Sequence, residues 1–259
     1  MGRAPDWLTA RPIAHRGLHD KAAGIIENSA SAVRAAIDGN FAIEVDIQIT
    51  ADGDAVVFHD ATLDRLTGET GRVADHRAAE LCDMVLSGGN GDRIWRLDTL
   101  LALVAGHVPL VVELKSLGDG DASLADIFAR VAGSYPGPIA AMSFNPGQIA
   151  RLRAIAPSIL RGFVSFDYPE ALTPHLSPRE RFLRRSLLAA VPSRPQFISY
   201  GCNALPSLPT RVARRLLGLP LVTWTVRTQG EADRLAGVVD AITFEGFYPR
   251  ETEKSPAAN

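Results

Sequence analysis

Two patterns of apolar positions alternate along this chain. Short β-branched runs such as Leu110-Val111-Val112 are apolar at every position and then end abruptly in charge, whereas the stretches between them return to an apolar side chain every three or four residues. The first pattern is that of parallel strands buried on both faces, and the second that of helices packed on one side. Strands are predicted at residues 11–14, at both arms of a hairpin spanning 44–60, and at 109–115, 139–144, 159–164, 196–200, 221–226 and 241–244, nine in all. Helices are predicted at 30–37, 99–104, 124–131, 146–155, 178–191, 209–217 and 229–235. Asn28 or Ser29 can cap the first, and Asn145-Pro146 sets a capping side chain before a proline at the first helical position.

This alternation predicts a TIM (β/α)8 barrel, in which eight parallel strands close and the site lies at their carboxyl ends. Nine strands are one too many. The returning arm of the hairpin, residues 55–58, is the surplus one, because a tight turn cannot set it parallel to its neighbour. A doubly wound sheet is the rival architecture, yet no GxGxxG or Walker sequence opens a helix after the first strand. Residues 60–96 lack strong periodicity and contain Ser87-Gly88-Gly89-Asn90-Gly91, so they are expected to be a small insertion in a single barrel domain spanning 1–259. The polar tail at 253–259 is expected to fray.

The hairpin makes a sharper prediction. Asp52-Gly53 between alternating apolar residues is a strong turn signal, because glycine accepts the positive φ the turn needs. A turn centred on that dipeptide pairs residues whose numbers sum to about 105, which sets Asp46 opposite His59. Glu44 and Asp46 are two apart and leave the same face of the strand. Two acids and an imidazole are thus expected to converge.

Charge gathers at two further strand ends, His15-Arg16 and Glu113-Leu114-Lys115. Carboxylates within apolar β-runs are rarely left unpaired, and the plainest account of Glu44, Asp46 and Glu113 is ion pairing with Arg16 and Lys115. The alternative is a metal site: oxygen-only ligation suits a hard cation, Mg2+ or Ca2+. His15 and His59 are candidate proton carriers, since an unperturbed imidazole titrates near neutral pH. A zinc site at His15 and His19 is disfavoured, because Gly17 and a strand end leave no helix between them. Arg16 and Lys115 can bind phosphate, Arg as a fork and Lys as a point charge. Trp224, in Val222-Thr223-Trp224-Thr225-Val226, either walls a pocket for an alcohol or is a core aromatic.

Composition narrows the class further. A net charge of −2 argues against a nucleic-acid binder, so an anionic ligand has to be held by a few local cations and a metal. The two cysteines, Cys82 and Cys202, lack metal-ligand spacing. The first residues, Met1-Gly2-Arg3-Ala4-Pro5-Asp6-Trp7, lack the apolar core of a signal peptide, and no run is long enough to span a bilayer. A cytoplasmic enzyme without stable membrane insertion is expected. Residues 178–188 are basic and amphipathic, read as a barrel helix with a solvated cationic face, with lipid binding as the alternative.

Five ordered motifs carry a resemblance. His15-Arg16-Gly17, Glu27-Asn28, Glu44-Val45-Asp46, Phe58-His59-Asp60 and Glu113-Leu114-Lys115 resemble, in this order, those of the glycerophosphodiester phosphodiesterase family, and the likeness runs from about residue 12 to 249. The resemblance implies a TIM barrel with an insertion over one side of the site, metal ligation by Glu44, Asp46 and Glu113, and an acid–base pair in His15 and His59. It implies hydrolysis of a small glycerophosphodiester to glycerol 3-phosphate and an alcohol, with the glycerol hydroxyl as first nucleophile. A lysophospholipase D-like enzyme and a barrel that only binds phosphorylated ligands are the alternatives; retention of both histidines and all three acids argues against the second. Two positions depart from the family pattern: Arg227 stands where Asn usually follows Trp-Thr-Val, and Glu245 begins the segment where an Asp usually precedes Pro. Both are expected to lie outside the core mechanism, with Arg227 favouring a more anionic headgroup.

Overall fold

The computed structural model describes residues 4–116 and 121–250, so the tail at 253–259 lies outside the described residues. Eight parallel strands close into a barrel: β1 (Ile13–Ala14), β2 (Ala42–Ile49), β5 (Leu110–Leu114), β6 (Ile139–Ser143), β7 (Leu160–Ser165), β8 (Phe197–Gly201), β9 (Leu221–Val226) and β10 (Ala241–Phe244). Closure comes from β1, which pairs with β10 on one side and β2 on the other. Between the strands run α1 (Ala30–Asp38), α3 (Leu97–Val104), α4 (Ser123–Ala132), α5 (Pro146–Ile155), α6 (Pro178–Arg185), α7 (Leu208–Arg211) and α8 (Gln229–Leu235). The sequence-based boundaries of α5, α8, β9 and β10 agree residue for residue. Asn145 caps α5 by accepting from the Gly147 N–H at 2.8 Å, and Ser29, not Asn28, caps α1. The helices predicted at 178–191 and 209–217 are each shorter. The first ends at Arg185 and a 3-10 turn at Leu188–Ser193 follows, while the second continues past Arg211 as a π turn, Val212–Leu216.

The surplus strand is the one expected. β3 (Ala55–Val57) returns antiparallel to β2 and lies outside the barrel ring. Because β1 is two residues long, it covers only the start of β2, and β3 takes over the same edge higher up. A tenth strand, β4 (Trp95–Arg96), pairs antiparallel with β3 and was not predicted, since two residues give no periodicity.

The hairpin register corrects the expectation that Asp46 faces His59. Ile47 pairs with Val57 and Ile49 with Ala55, so opposed numbers sum to 104 and Asp46 faces Phe58, whose N–H donates to the Asp46 carbonyl at 3.0 Å. The cause is the turn. Thr50 and Asp54 close a three-residue loop, with the Thr50 N–H on the Asp54 carbonyl at 3.0 Å and Gly53 at φ 73°. A type I turn followed by a left-handed residue adds one residue relative to a two-residue turn.

Alternation along the strands separates two cores. Outward residues such as Ile43, Val45, Ile47 and Val112 pack under the helices, while Ile13, Ala42, Val111, Leu160, Phe197 and Val222 fill the barrel. Gly162 makes room inside: a Cβ there would lie 2.2 Å from the Phe197 ring. Along β2 the inward row changes from Ala42 to Glu44, Asp46 and Gln48, and along β5 from Val111 to Glu113. The barrel is therefore apolar below and acidic at its carboxyl end. Residues between β3 and β4 leave the ring and build a third cluster from Phe58, Leu63, Val73, Leu81 and Ile94, with a short helix α2 (Ala78–Asp83). This segment is irregular because its apolar residues meet at loop positions rather than on one helix face.

Candidate active site

Glu44, Asp46 and Glu113 converge as expected, all buried, with one carboxylate oxygen of each lying within 4.8 Å of the others. Parallel pairing does this: Asp46 is level with Glu113 across the β2–β5 ladder, and Glu44 is one inward position below. Lys115 follows β5 and sits between two of them, its Nζ 2.8 Å from Asp46 and 2.5 Å from Glu113. Arg16 reaches from β1 with its N–H on Glu44 at 3.0 Å and its guanidinium 3.5 Å from Asp46 and 2.6 Å from Glu27. The ion pairs of the plain account are thus present.

They do not balance the site. Burial and the neighbouring Asp46 and Glu113 push the Glu44 carboxyl well above its usual range. Glu113 is raised as well, by burial against the opposing pull of Lys115. Asp46 overcomes its burial through Lys115, His59 and Arg16 and stays far below the ordinary value. Two buried carboxylates disfavoured as anions beside a third that is ionised are an oxygen donor set short of positive charge. Such a set fits a hard divalent cation.

His15 and His59 stand at the rim of this triad, each with a carboxylate on its Nδ1. The His15 Nδ1–H donates to Glu245 at 2.5 Å, and its Nε2 lies 4.0 Å from Glu44. His59 Nδ1 meets Asp60 at 2.6 Å. Burial lowers the pKa of both rings, opposed by Glu245 at His15 and by Asp46 and Asp60 at His59. Although His59 is not opposite Asp46, Gln48 returns it to the site: its amide donates to the His59 and Asp60 carbonyls, both at 2.9 Å.

Glu245, expected to lie outside the core mechanism, is in direct contact with His15. Burial alone would raise its carboxyl, but the hydrogen bond to His15 and the nearby His19 and Arg227 hold it far below the usual range. Arg227, expected to offer a free cation to the substrate, is bound to the other Glu245 oxygen at 2.7 Å. The two unusual residues therefore contact each other. Their signal was available, since Glu245 is a charge at the carboxyl end of a parallel strand, the same feature that marks Glu113.

Other contributors were only half legible. Asn28, at φ 58°, is no cap: its Nδ2 donates to Asp46 at 2.9 Å and its Oδ1 accepts from the Asp46 N–H at 3.1 Å. Arg65, from the segment between β3 and β4, grips Asp60 through Nε at 2.6 Å and Glu27 through both terminal nitrogens, at 2.9 and 2.7 Å. Both acids are held at a pKa of about 2, overcoming burial through that guanidinium. Nothing in the local sequence marks Arg65. A cavity of about 630 Å3 opens beside Glu113 and Lys115, and Phe144, Phe166 and Tyr168 are among the residues lining it. Trp224 packs edge-on behind, its ring 5.5 Å from Phe144 and 6.2 Å from Phe166. Cys82 and Cys202 are free thiols away from this cluster. Among the described residues no helix is long and apolar enough to cross a membrane.

Comparison with known proteins bears on the fold and the family. The glycerophosphodiester phosphodiesterase of Caldanaerobacter subterraneus subsp. tengcongensis is 28% identical over 242 residues, 89% of this chain and 92% of that one. Among solved structures, an Oleispira antarctica phosphodiesterase in complex with the product sn-glycerol-3-phosphate superposes with a TM-score of 0.72 at 21% identity, over 90% of this chain and 92% of the other. The Thermotoga maritima glycerophosphodiester phosphodiesterase superposes with a TM-score of 0.67 at 21% identity, again over 90% and 92%. A sequence profile of the glycerophosphoryl diester phosphodiesterase family matches residues 15–244, nearly the whole barrel, and the chain belongs to that family of hydrolases.

Proposed function

We propose that this enzyme hydrolyses small glycerophosphodiesters to glycerol 3-phosphate and an alcohol, with a divalent cation at Glu44, Asp46 and Glu113. The observation that carries the reading is the pair of carboxylate-backed imidazoles at the rim of a buried acid triad flanked by Arg16 and Lys115. The product held by the Oleispira antarctica relative supports the glycerol 3-phosphate half. A bound Mg2+ or Ca2+ would neutralise charge on the phosphoryl oxygens. Arg16 and Lys115 hold the phosphate; one imidazole takes the proton of the glycerol hydroxyl through Nε2 as that oxygen attacks phosphorus, the other protonates the departing alcohol, and water then opens the resulting cyclic phosphate to glycerol 3-phosphate with the two proton transfers reversed. Glu245 and Asp60 set the tautomer that aims Nε2 inward and stabilise each ring when it is charged. The alcohol lies against Phe144, Phe166 and Tyr168, with Trp224 as the second layer of that wall.

Product analysis tests this reading: glycerophosphocholine plus the protein and Mg2+ or Ca2+ should give glycerol 3-phosphate by phosphorus NMR and free choline by proton NMR. Release of phosphocholine instead, or turnover confined to micellar lysolipid, rejects it. Glu245 also carries its own prediction. Glu245→Gln keeps the size but removes the charge on His15, and kcat should fall about 10- to 100-fold, as for other residues that orient a working imidazole. Steady-state rates at saturating metal check this, and Arg227→Ala should cost less, because it acts only through Glu245.

A further inference from the structure

The charge of this protein is unevenly placed. Residues 181–230 hold eight arginines and no Asp, Glu or Lys, in a chain of 27 basic and 29 acidic residues, so the remainder carries 19 against 29. These residues run from α6 through β8, α7 and β9 to the start of α8, which makes them one flank of the barrel. The same flank is unusually greasy. Of eleven exposed large apolar side chains among the described residues, seven fall on it: Phe182, Leu188 and Val191 after β7, and Leu208, Val212, Leu216 and Leu217 after β8. Leu208 is 74% exposed and Leu216 77%.

Apolar and cationic groups are interleaved there. Leu208, Val212 and Leu216 recur every four residues, and Arg211 and Arg215 lie three positions after the first two, on the same side of the turn. Arg185 stands over the Phe182 ring, 5.6 Å from its centre. Arg185, Arg194, Arg211 and Arg215 are exposed and have no ion-pair partner among the described residues, whereas Arg214 is bound to Asp240 and Arg227 to Glu245. A merely solvated face interleaves both signs of charge and avoids contiguous leucines. A second copy of this chain applied face to face would set arginines against arginines, because the acids that border the face are already engaged, Glu170 with Arg181, Asp240 with Arg214 and Glu180 with Ser177.

We propose that this flank docks the enzyme on the surface of an anionic lipid bilayer, with arginines at the phosphates and the leucines, valines and phenylalanine in the interfacial layer. This goes beyond the catalytic reading and does not depend on it. It revises the expectation for residues 178–188, because a window on one helix misses the next connection, which brings the more exposed leucines. Docking of this kind is peripheral and needs no spanning helix.

The test is sedimentation of the full chain with vesicles of phosphatidylcholine alone or mixed with phosphatidylserine, at physiological ionic strength. Partition should be about tenfold or more greater on the mixed vesicles and vanish in high salt. Arg211→Glu with Arg215→Glu, and separately Leu216→Ser with Leu217→Ser, should each abolish the preference while leaving Tm and turnover of a soluble diester unchanged. Equal partition on both vesicles overturns the proposal, as does binding that survives both double variants. Self-association that the leucine variants abolish, without vesicle binding, also overturns it and assigns the face to a second copy.

Discussion

His15→Ala and His59→Ala are each expected to lower turnover of glycerophosphocholine by about 10²-fold or more, the usual contribution of a positioned proton carrier. The two should part company on a better leaving group. An alkoxide leaves poorly and needs a proton, whereas a nitrophenolate leaves without one, so loss of the general acid is rescued by a nitrophenyl glycerophosphodiester and loss of the base is not. On the proposed mechanism the expected acid is His59. Burial, Lys115 and Arg16 disfavour its charged ring, while the neighbouring Asp46 and Asp60 on its Nδ1 favour it and would hold the proton once phosphate engages the two cations. His15→Ala should then be slow on both compounds. The check is the ratio of rates on the two substrates for wild type and both variants, with metal content measured in each. Wild-type rates on both substrates for either variant would make that histidine structural.

Chelator-stripped protein is expected to lose diesterase activity entirely and to regain it with Mg2+ or Ca2+. Glu44→Gln is the cleaner variant of the triad, since the Glu44 carboxylate is disfavoured by burial and by two neighbouring acids. Removing its charge relieves repulsion in the folded state, so Tm should hold or rise while metal affinity and turnover collapse. Asp46→Asn should lose activity too, but with a different thermal signature. It strips Lys115 and Arg16 of a buried partner, which costs about 3 kcal/mol or more. Calorimetric metal binding and thermal unfolding on both variants separate the two effects. Persistent full activity of stripped wild type in chelator would sink the metal assignment.

Sequence alone determined the parts of this protein that depend on local periodicity. Apolar runs that end in charge located β10, and β2 and β5 with the acids on them, because a strand's inward row is set by a period of two within its own segment. Helices α5 and α8 were legible to the residue, α5 because a capping Asn145 and Pro146 stand together at its start. Even the surplus strand followed from the length of a turn. Tertiary structure decided whatever depends on which distant segments meet. The hairpin register shifted by one when Gly53 took a left-handed conformation, moving His59 off the position opposite Asp46 and leaving Gln48 to hold it. Glu245 lies 230 residues from His15 and reaches it only because β1 and β10 are neighbours at the closure of the barrel. Asn28 and Arg65 likewise act through contacts with Asp46, Asp60 and Glu27 that no local pattern encodes, because the direction of a side chain from a loop is fixed by what it packs against.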